Sequence, residues 1–214
     1  MKNQIIFCYD AYCGWSYAFA ETILNFAEKY KSDFDVDVFS GGLILPERPK
    51  HISLLAEYFL KNNEEVKAKS GISFGSDFLW HVENPDLSDW FPDSMKPAIA
   101  LAVFRELSPE RQLEFATDLS KALFAEGRDL CDNEAYRHLL EKYTIPEEKF
   151  YAALGSETYK EAAREDFSAV KALGVSGFPA LLVQVDSKKF VRICEGWISA
   201  EELEERMRAA LGAR

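Results

Sequence analysis

The sequence predicts an α/β fold in which a long helical block interrupts a small sheet. Three patterns lead there. A β-α-β arrangement fills residues 4–40, helical periodicity alone runs from Pro46 to Gly174, and a β-β-α arrangement fills residues 180–211. A segment as long as 46–174 is too long to be a loop, so it reads as an insertion.

The elements follow in order. Residues 4–9 read as a buried strand around Ile5-Ile6-Phe7. Residues 14–31 read as a helix, with Tyr17, Ala20, Ile23, Leu24 and Ala27 at helical spacing. Phe34 to Ser40 alternates as a second strand, which Gly41-Gly42 breaks. Two strands joined through a helix should run parallel. His51 to Lys69 is amphipathic and stops at Ser70-Gly71. Residues 71–92, rich in Gly, Asp, Pro and aromatics, read as a loop. Ser94 to Leu107 is a helix. Ser108-Pro109-Glu110 starts another, with Ser as N-cap and Pro in the first turn, and it stops at Gly127. Asp132 caps a short helix, Thr144-Ile145-Pro146-Glu147 reads as a capping box, and Ser156 caps a helix ending at Gly174. Ala180–Val185 and Phe190–Cys194 form a hairpin across Asp186-Ser187-Lys188-Lys189. Ser199 to Glu202 is a second capping box, opening a helix to Leu211. The two ends together make a thioredoxin-like sheet. Residues 1–45 and 175–214 are expected to form that domain, and residues 46–174 the helical insertion domain.

Composition narrows the function. A formal net charge of -11 argues against nucleic acid and anionic membrane surfaces as partners. No window reaches the length of a membrane span. Met1-Lys2-Asn3-Gln4 leads into a strand-length apolar run rather than a secretory leader. Four widely spaced cysteines do not resemble a disulfide scaffold, so a reducing cytoplasm is expected. Nothing in the sequence speaks to oligomeric state.

The chemistry centres on Cys13-Gly14-Trp15-Ser16, at a strand-to-helix junction. Backbone N–H groups lack partners there and the helix dipole is positive. That setting favours a thiolate and predicts a Cys13 pKa below the free value. The spacing is C-x-x-C with serine in the second place. Ser16 reads either as a hydrogen-bond donor to the sulfur or as a solvated first-turn residue. Pro179, after Phe178, reads either as a strand starter or as a cis-proline that frees the Phe178 backbone for a substrate. Cys8 and Cys194 read as core residues, and Cys131 as an exposed residue at a helix boundary. His51, His81 and His138 show no metal-ligand spacing, so no metal is expected. Asp35 and Asp37 share a strand face, either as solvated edge carboxylates or with one approaching the cysteine. Phe74, Phe78, Trp80, Trp90 and Phe91 either pack the 71–92 loop or line a groove, and packing is favoured.

Cys13-Gly14-Trp15-Ser16 after a first strand, Ser40-Gly41-Gly42-Leu43, a helical insertion, and Gly174-Val175-Ser176-Gly177-Phe178-Pro179 before a hairpin resemble the DsbA branch of the thioredoxin superfamily. The nearest likeness is to cytoplasmic protein-disulfide isomerases carrying Cys-Gly-Trp-Cys, relatives of the FrnE-type proteins. The resemblance implies that Cys13 attacks, that Pro179 is cis and faces it, and that Phe178 pairs with substrate. Gly14 and Trp15 would form the accessible turn. It implies cysteine-containing protein or peptide substrates and no tightly bound cofactor, with glutathione as a cosubstrate. Ser16 departs from the family pattern, because a hydroxyl cannot resolve a mixed disulfide. The expected activity is therefore monothiol exchange. Two alternatives remain open. One is a glutathione-dependent transferase or isomerase like the kappa-class enzymes and 2-hydroxychromene-2-carboxylate isomerases, whose signature has serine in place of Cys13. The other is a non-enzymatic peptide-binding module.

Overall fold

The computed structural model describes residues 2–45, 48–187 and 189–212. Of the positions singled out above, Met1, Pro46 and Lys188 lie outside these residues. β1 (Asn3–Tyr9), α1 (Gly14–Tyr30) and β2 (Phe34–Ser40) form the N-terminal unit, and β1 and β2 are parallel as expected. β3 (Ala180–Asp186) and β4 (Lys189–Glu195) return as a hairpin, and α9 (Ala200–Ala210) closes the chain. The sheet order is β2-β1-β3-β4, with β3 antiparallel to both neighbours. This is the α/β, thioredoxin-like architecture that the element order predicts, with its helical insertion.

Alternation along β1 splits the core. Ile5, Phe7 and Tyr9 join the large cluster shared with α1, α9 and most of the helical block. Ile6 and Cys8 join a smaller cluster with Val170, Val175, Ala180 and Leu182 on the other face.

The block comprises α2 (Ala56–Ser70), α3 (Ser76–Glu83), α4 (Met95–Leu107), α5 (Gln112–Phe124), α6 (Arg137–Tyr143), α7 (Glu147–Leu154) and α8 (Glu157–Ala172). Among the described residues, no helix is long and apolar enough to cross a membrane. The block also shields the β2 edge, whose unpaired groups would otherwise invite another strand. Gln112 imitates a neighbouring strand, accepting from Val38 N–H at 3.2 Å and donating to the Val36 carbonyl at 3.1 Å. Arg105 donates to the Val38 carbonyl and pairs with buried Asp166, which accepts from Ser40 N–H.

Three local expectations are corrected. The 71–92 segment is not all loop. It holds α3, whose Phe78 and Val82 face the core one turn apart, and a 3-10 turn at Pro85–Leu87. Thr144 is no N-cap. It sits in the left-handed region (φ 57°) as the C-cap of α6, and Pro146 takes the N-cap place of α7. Ser108 caps nothing with its hydroxyl, which donates to Glu110, and α5 begins only after a 3-10 turn. Asp132, Ser156 and Ser199 do cap their helices, accepting from Glu134, Thr158 and Glu202 N–H.

Candidate active site

The chain turns after β1 with Cys13 N–H donating to the Asp10 carbonyl at 3.0 Å. Cys13 is the N-cap of α1, in extended conformation, as the strand-to-helix junction predicts. Its Sγ lies 3.4 Å from the Phe178 carbonyl oxygen, to which the thiol donates. The Phe178-Pro179 peptide is cis. The two motifs, far apart in sequence, therefore meet at one sulfur.

Glycines permit the meeting. A Cβ on Gly41 would fall 2.0 Å from Phe178 Cζ, so the Phe178 ring rests directly on the Gly41 backbone. A Cβ on Gly14 would fall 2.2 Å from Asn62 Oδ1 and 2.5 Å from Phe74 Cζ. The helical block thus walls the start of α1. Trp15 is half-buried, with Lys69 Nζ 5.6 Å from its ring centroid. Leu43, Leu45 and Tyr58 leave large apolar side chains exposed.

Cys13 is only 5% exposed. Burial pushes its thiol from an ordinary 9.0 up to about 11, overturning the lowered value expected from the helix start. The Ser16 hydroxyl and the Ser16 and Trp15 amides pull the other way, while the charge of Asp10 adds to the rise. Desolvation wins because little water reaches the sulfur. Ser16 is itself buried, not solvated. Its hydroxyl has no partner while the neighbouring sulfur is a thiol, although it acts on that sulfur in favour of the anion.

The acid near the sulfur is Asp10, which the sequence reading missed. Asp35 and Asp37 lie far along β2, opposite Gln4 and Ile6, and Asp35 pairs with Lys2. Asp10 is 1% exposed. It accepts from Tyr12 N–H at 2.9 Å, Leu43 N–H at 2.7 Å and Ser94 Oγ at 2.9 Å. Burial raises its pKa against those donors. One carboxylate thereby ties the Cys13 turn, the loop after β2 and the start of α4. The signal in the sequence was a lone acid closing an apolar strand, which by itself also fits a solvated turn.

The other cysteines are engaged elsewhere, and all are unpaired. Cys8 and Cys194 are buried in the clusters on opposite sheet faces, and burial lifts each to about 12. Cys131 is part-buried, donating to the Phe91 carbonyl at 3.3 Å with Tyr12 Oη 3.5 Å away. The aromatics of the 71–92 segment divide: Phe74, Phe78 and Trp90 are core, whereas Trp80 and Phe91 stay exposed. His51 meets the Ser88 carbonyl, His81 stacks on Trp90 and His138 lies beside Glu126. Among the described residues no group of side chains could hold a metal ion.

A sheet of this order, with a cysteine at the N-cap of the first helix against the loop before the antiparallel hairpin, defines a thioredoxin-like protein. More particularly, the chain belongs to the family of the DSBA-like thioredoxin domain, whose model matches residues 4–208. Among curated proteins no sequence matches it. Solved structures that share its fold include the following. The "putative protein disulfide isomerase from Nitrosomonas europaea" is 23% identical with a TM-score of 0.83, covering 99% of this chain and 98% of that one. The cytosolic disulfide reductase DsbM from Pseudomonas aeruginosa is 19% identical with a TM-score of 0.74, covering 97% and 95%. The latter has also been solved with GSH, and that structure is 18% identical with a TM-score of 0.71, again covering 97% and 95%.

Proposed function

We propose that this chain is a thiol-disulfide oxidoreductase acting through one nucleophilic cysteine, Cys13, with an external thiol completing each cycle. One observation carries this reading. Cys13 is the sulfur aimed at the Phe178 carbonyl, and Ser16 stands one helical turn on, where a dithiol centre would hold its second sulfur.

In the proposed sequence the Cys13 thiolate attacks one sulfur of a disulfide. A bond forms between that sulfur and Sγ, the original S–S bond breaks, and its other half leaves as a thiolate. A second thiolate, such as that of glutathione, then attacks the mixed disulfide and releases Cys13. Disulfides are shuffled or glutathionyl groups removed, with no net oxidation by the protein itself. Gly14 and Trp15 would present the turn to substrate, and Phe178 would offer its backbone. Pro179, lacking an N–H, would keep a competing donor from the sulfur. The four unpaired cysteines support a reducing compartment, and we assign the cytosol. Within the family, the Cys13-Gly14-Trp15 and Ser40-Gly41-Gly42-Leu43 motifs favour the FrnE-type branch. We read residues 46–174 as the insertion that walls the site.

The test is intact mass after incubation with glutathione disulfide. The expected result is one glutathionyl adduct, absent from Cys13→Ala and removed by excess glutathione. Glutathione-dependent isomerisation of a small substrate with no adduct at Cys13 would overturn the reading in favour of the isomerase class.

A further inference from the structure

We propose that Arg192 and Glu195 are positioning residues for thiol exchange: through Ser176 they hold the loop that sets the Phe178 carbonyl against Cys13. This rests on the reading of Cys13 as the nucleophile.

The loop from Leu173 to Pro179 joins α8 to β3, and the end of β4 grips it along its length. Arg192 Nη2 donates to the Leu173 carbonyl at 3.2 Å and the Gly174 carbonyl at 2.8 Å. Those carbonyls end α8, where the helix dipole is negative and a cation is favoured. Arg192 Nη1 pairs with the Glu195 carboxylate. Glu195 Oε1 accepts from Ser176 N–H at 3.1 Å and Ser176 Oγ at 2.7 Å, and these donors hold its pKa below the usual carboxylate range. The Glu195 backbone faces Ala180, and the next residue, Gly196, donates its N–H to the Pro179 carbonyl at 2.7 Å. Both ends of the loop, and its middle, are therefore fixed to one strand end.

In a regular strand, residues three apart point to opposite faces. Arg192 and Glu195 meet because β4 bulges: Leu181 pairs with Cys194 but Leu182 pairs with Arg192. The extra residue puts Ile193 and Cys194 side by side in the core and leaves Arg192 and Glu195 together outside. A bulge re-aiming side chains next to a reactive centre is a recurrent device. Here it turns an otherwise exposed pair toward the loop carrying Phe178.

The experiment compares Arg192→Ala, Glu195→Ala, Glu195→Gln and the double alanine variant with the parent. Two rates are measured: mixed-disulfide formation at Cys13 with glutathione disulfide, and alkylation by iodoacetamide, a probe that needs no docking. A displaced Phe178 should slow capture about tenfold or more in each alanine variant, since small misplacements at a reacting centre are costly. Alkylation should stay within about twofold, a split that general loosening of the fold would not produce. The double variant should be no worse than either single one, because the residues act as one unit. Glu195→Gln keeps an acceptor for Ser176 and should recover part of the capture rate. If an alanine variant melts below the assay temperature, Arg192→Lys and Ser176→Ala replace it, and slowed capture with unchanged alkylation is again expected. Unchanged capture in the folded variants, or capture and alkylation falling together, overturns the positioning role. A parent that forms no adduct at all overturns the thiol-exchange reading, and this inference with it.

Discussion

Gly41→Ala tests how the Phe178 carbonyl is placed, without touching the sulfur or any polar group. The Gly41 backbone is not left-handed, so an alanine there carries no φ penalty. What it meets is the Phe178 ring, with Cζ at 2.0 Å, Cε1 at 2.3 Å and Cε2 at 2.5 Å from the new Cβ. Ordinary contact begins near 3.4 Å, so the ring must retreat by about 1.4 Å. Overpacking of this kind costs about 1–3 kcal/mol. In a chain of this size that lowers Tm by roughly 2–4 °C per kcal/mol. Whatever part of that retreat the Phe178 side-chain torsions do not absorb carries the Phe178 carbonyl from Sγ. A misplacement near 1 Å at a reacting centre can cost about a hundredfold in rate. The assay is capture of glutathione disulfide by Cys13, followed by intact mass, with thermal unfolding in parallel. A variant that melts a few degrees lower yet captures as fast as the parent would refute the idea that Phe178 orders the site.

Three further outcomes are expected. Iodoacetamide alkylation of Cys13 should show a midpoint near about 11 rather than below 9, and Ser16→Ala should move it higher still, since the serine hydroxyl favours the thiolate. Because that folded value stands above the unfolded one, the stabilisation is complete below pH 9 and is lost as pH rises through 11, amounting to about 2–3 kcal/mol at 1.36 kcal/mol per unit; urea midpoints against pH, compared with Cys13→Ala, measure it. Ser16→Cys should create a dithiol that closes on Cys13 and raises reductase turnover on a protein disulfide above the parent. Asp10→Asn exchanges one acceptor oxygen for an N–H facing the Tyr12, Ser94 or Leu43 donors, and should lower stability by about 1–3 kcal/mol in denaturant melts.

Much of this architecture is legible in the amino-acid pattern. The apolar run at Ile5-Ile6-Phe7, the alternation from Phe34 to Ser40 and the late hairpin are period signals, and the sheet honours them. The placing of Cys13 at a helix start followed from the same periodicity. What escaped depends on neighbours remote in sequence. α3 was hidden because a short helix with two core residues leaves little periodicity to read. The acidity of Cys13 was misjudged because a helix start is local, whereas burial depends on α2 and the Phe74 region folding over it. Asp10 becomes a site residue only through Leu43 and Ser94, which come from other elements. Arg192 and Glu195 come to one side of β4 only through its bulge, which no residue pattern announces.

A buried nucleophile with a raised pKa has a consequence for how the proposed chemistry starts. With a value near about 11, only about one sulfur in ten thousand is ionised at neutral pH. Burial holds the resting sulfur as a thiol, and that thiol donates to the Phe178 carbonyl. The groups that would hold the anion, the Ser16 hydroxyl and the Ser16 and Trp15 amides, are already in place beside it. On the proposed reading, a disulfide that pairs with the Phe178 backbone takes up the carbonyl to which the thiol donates. The proton then loses its acceptor, while the anion keeps its donors. Docking and activation become one event, and a small alkylating agent that cannot pair with Phe178 gains nothing from it. Burial rather than that carbonyl sets most of the Cys13 acidity, so the effects of Gly41, Arg192 and Glu195 should appear in disulfide capture and leave simple alkylation almost untouched.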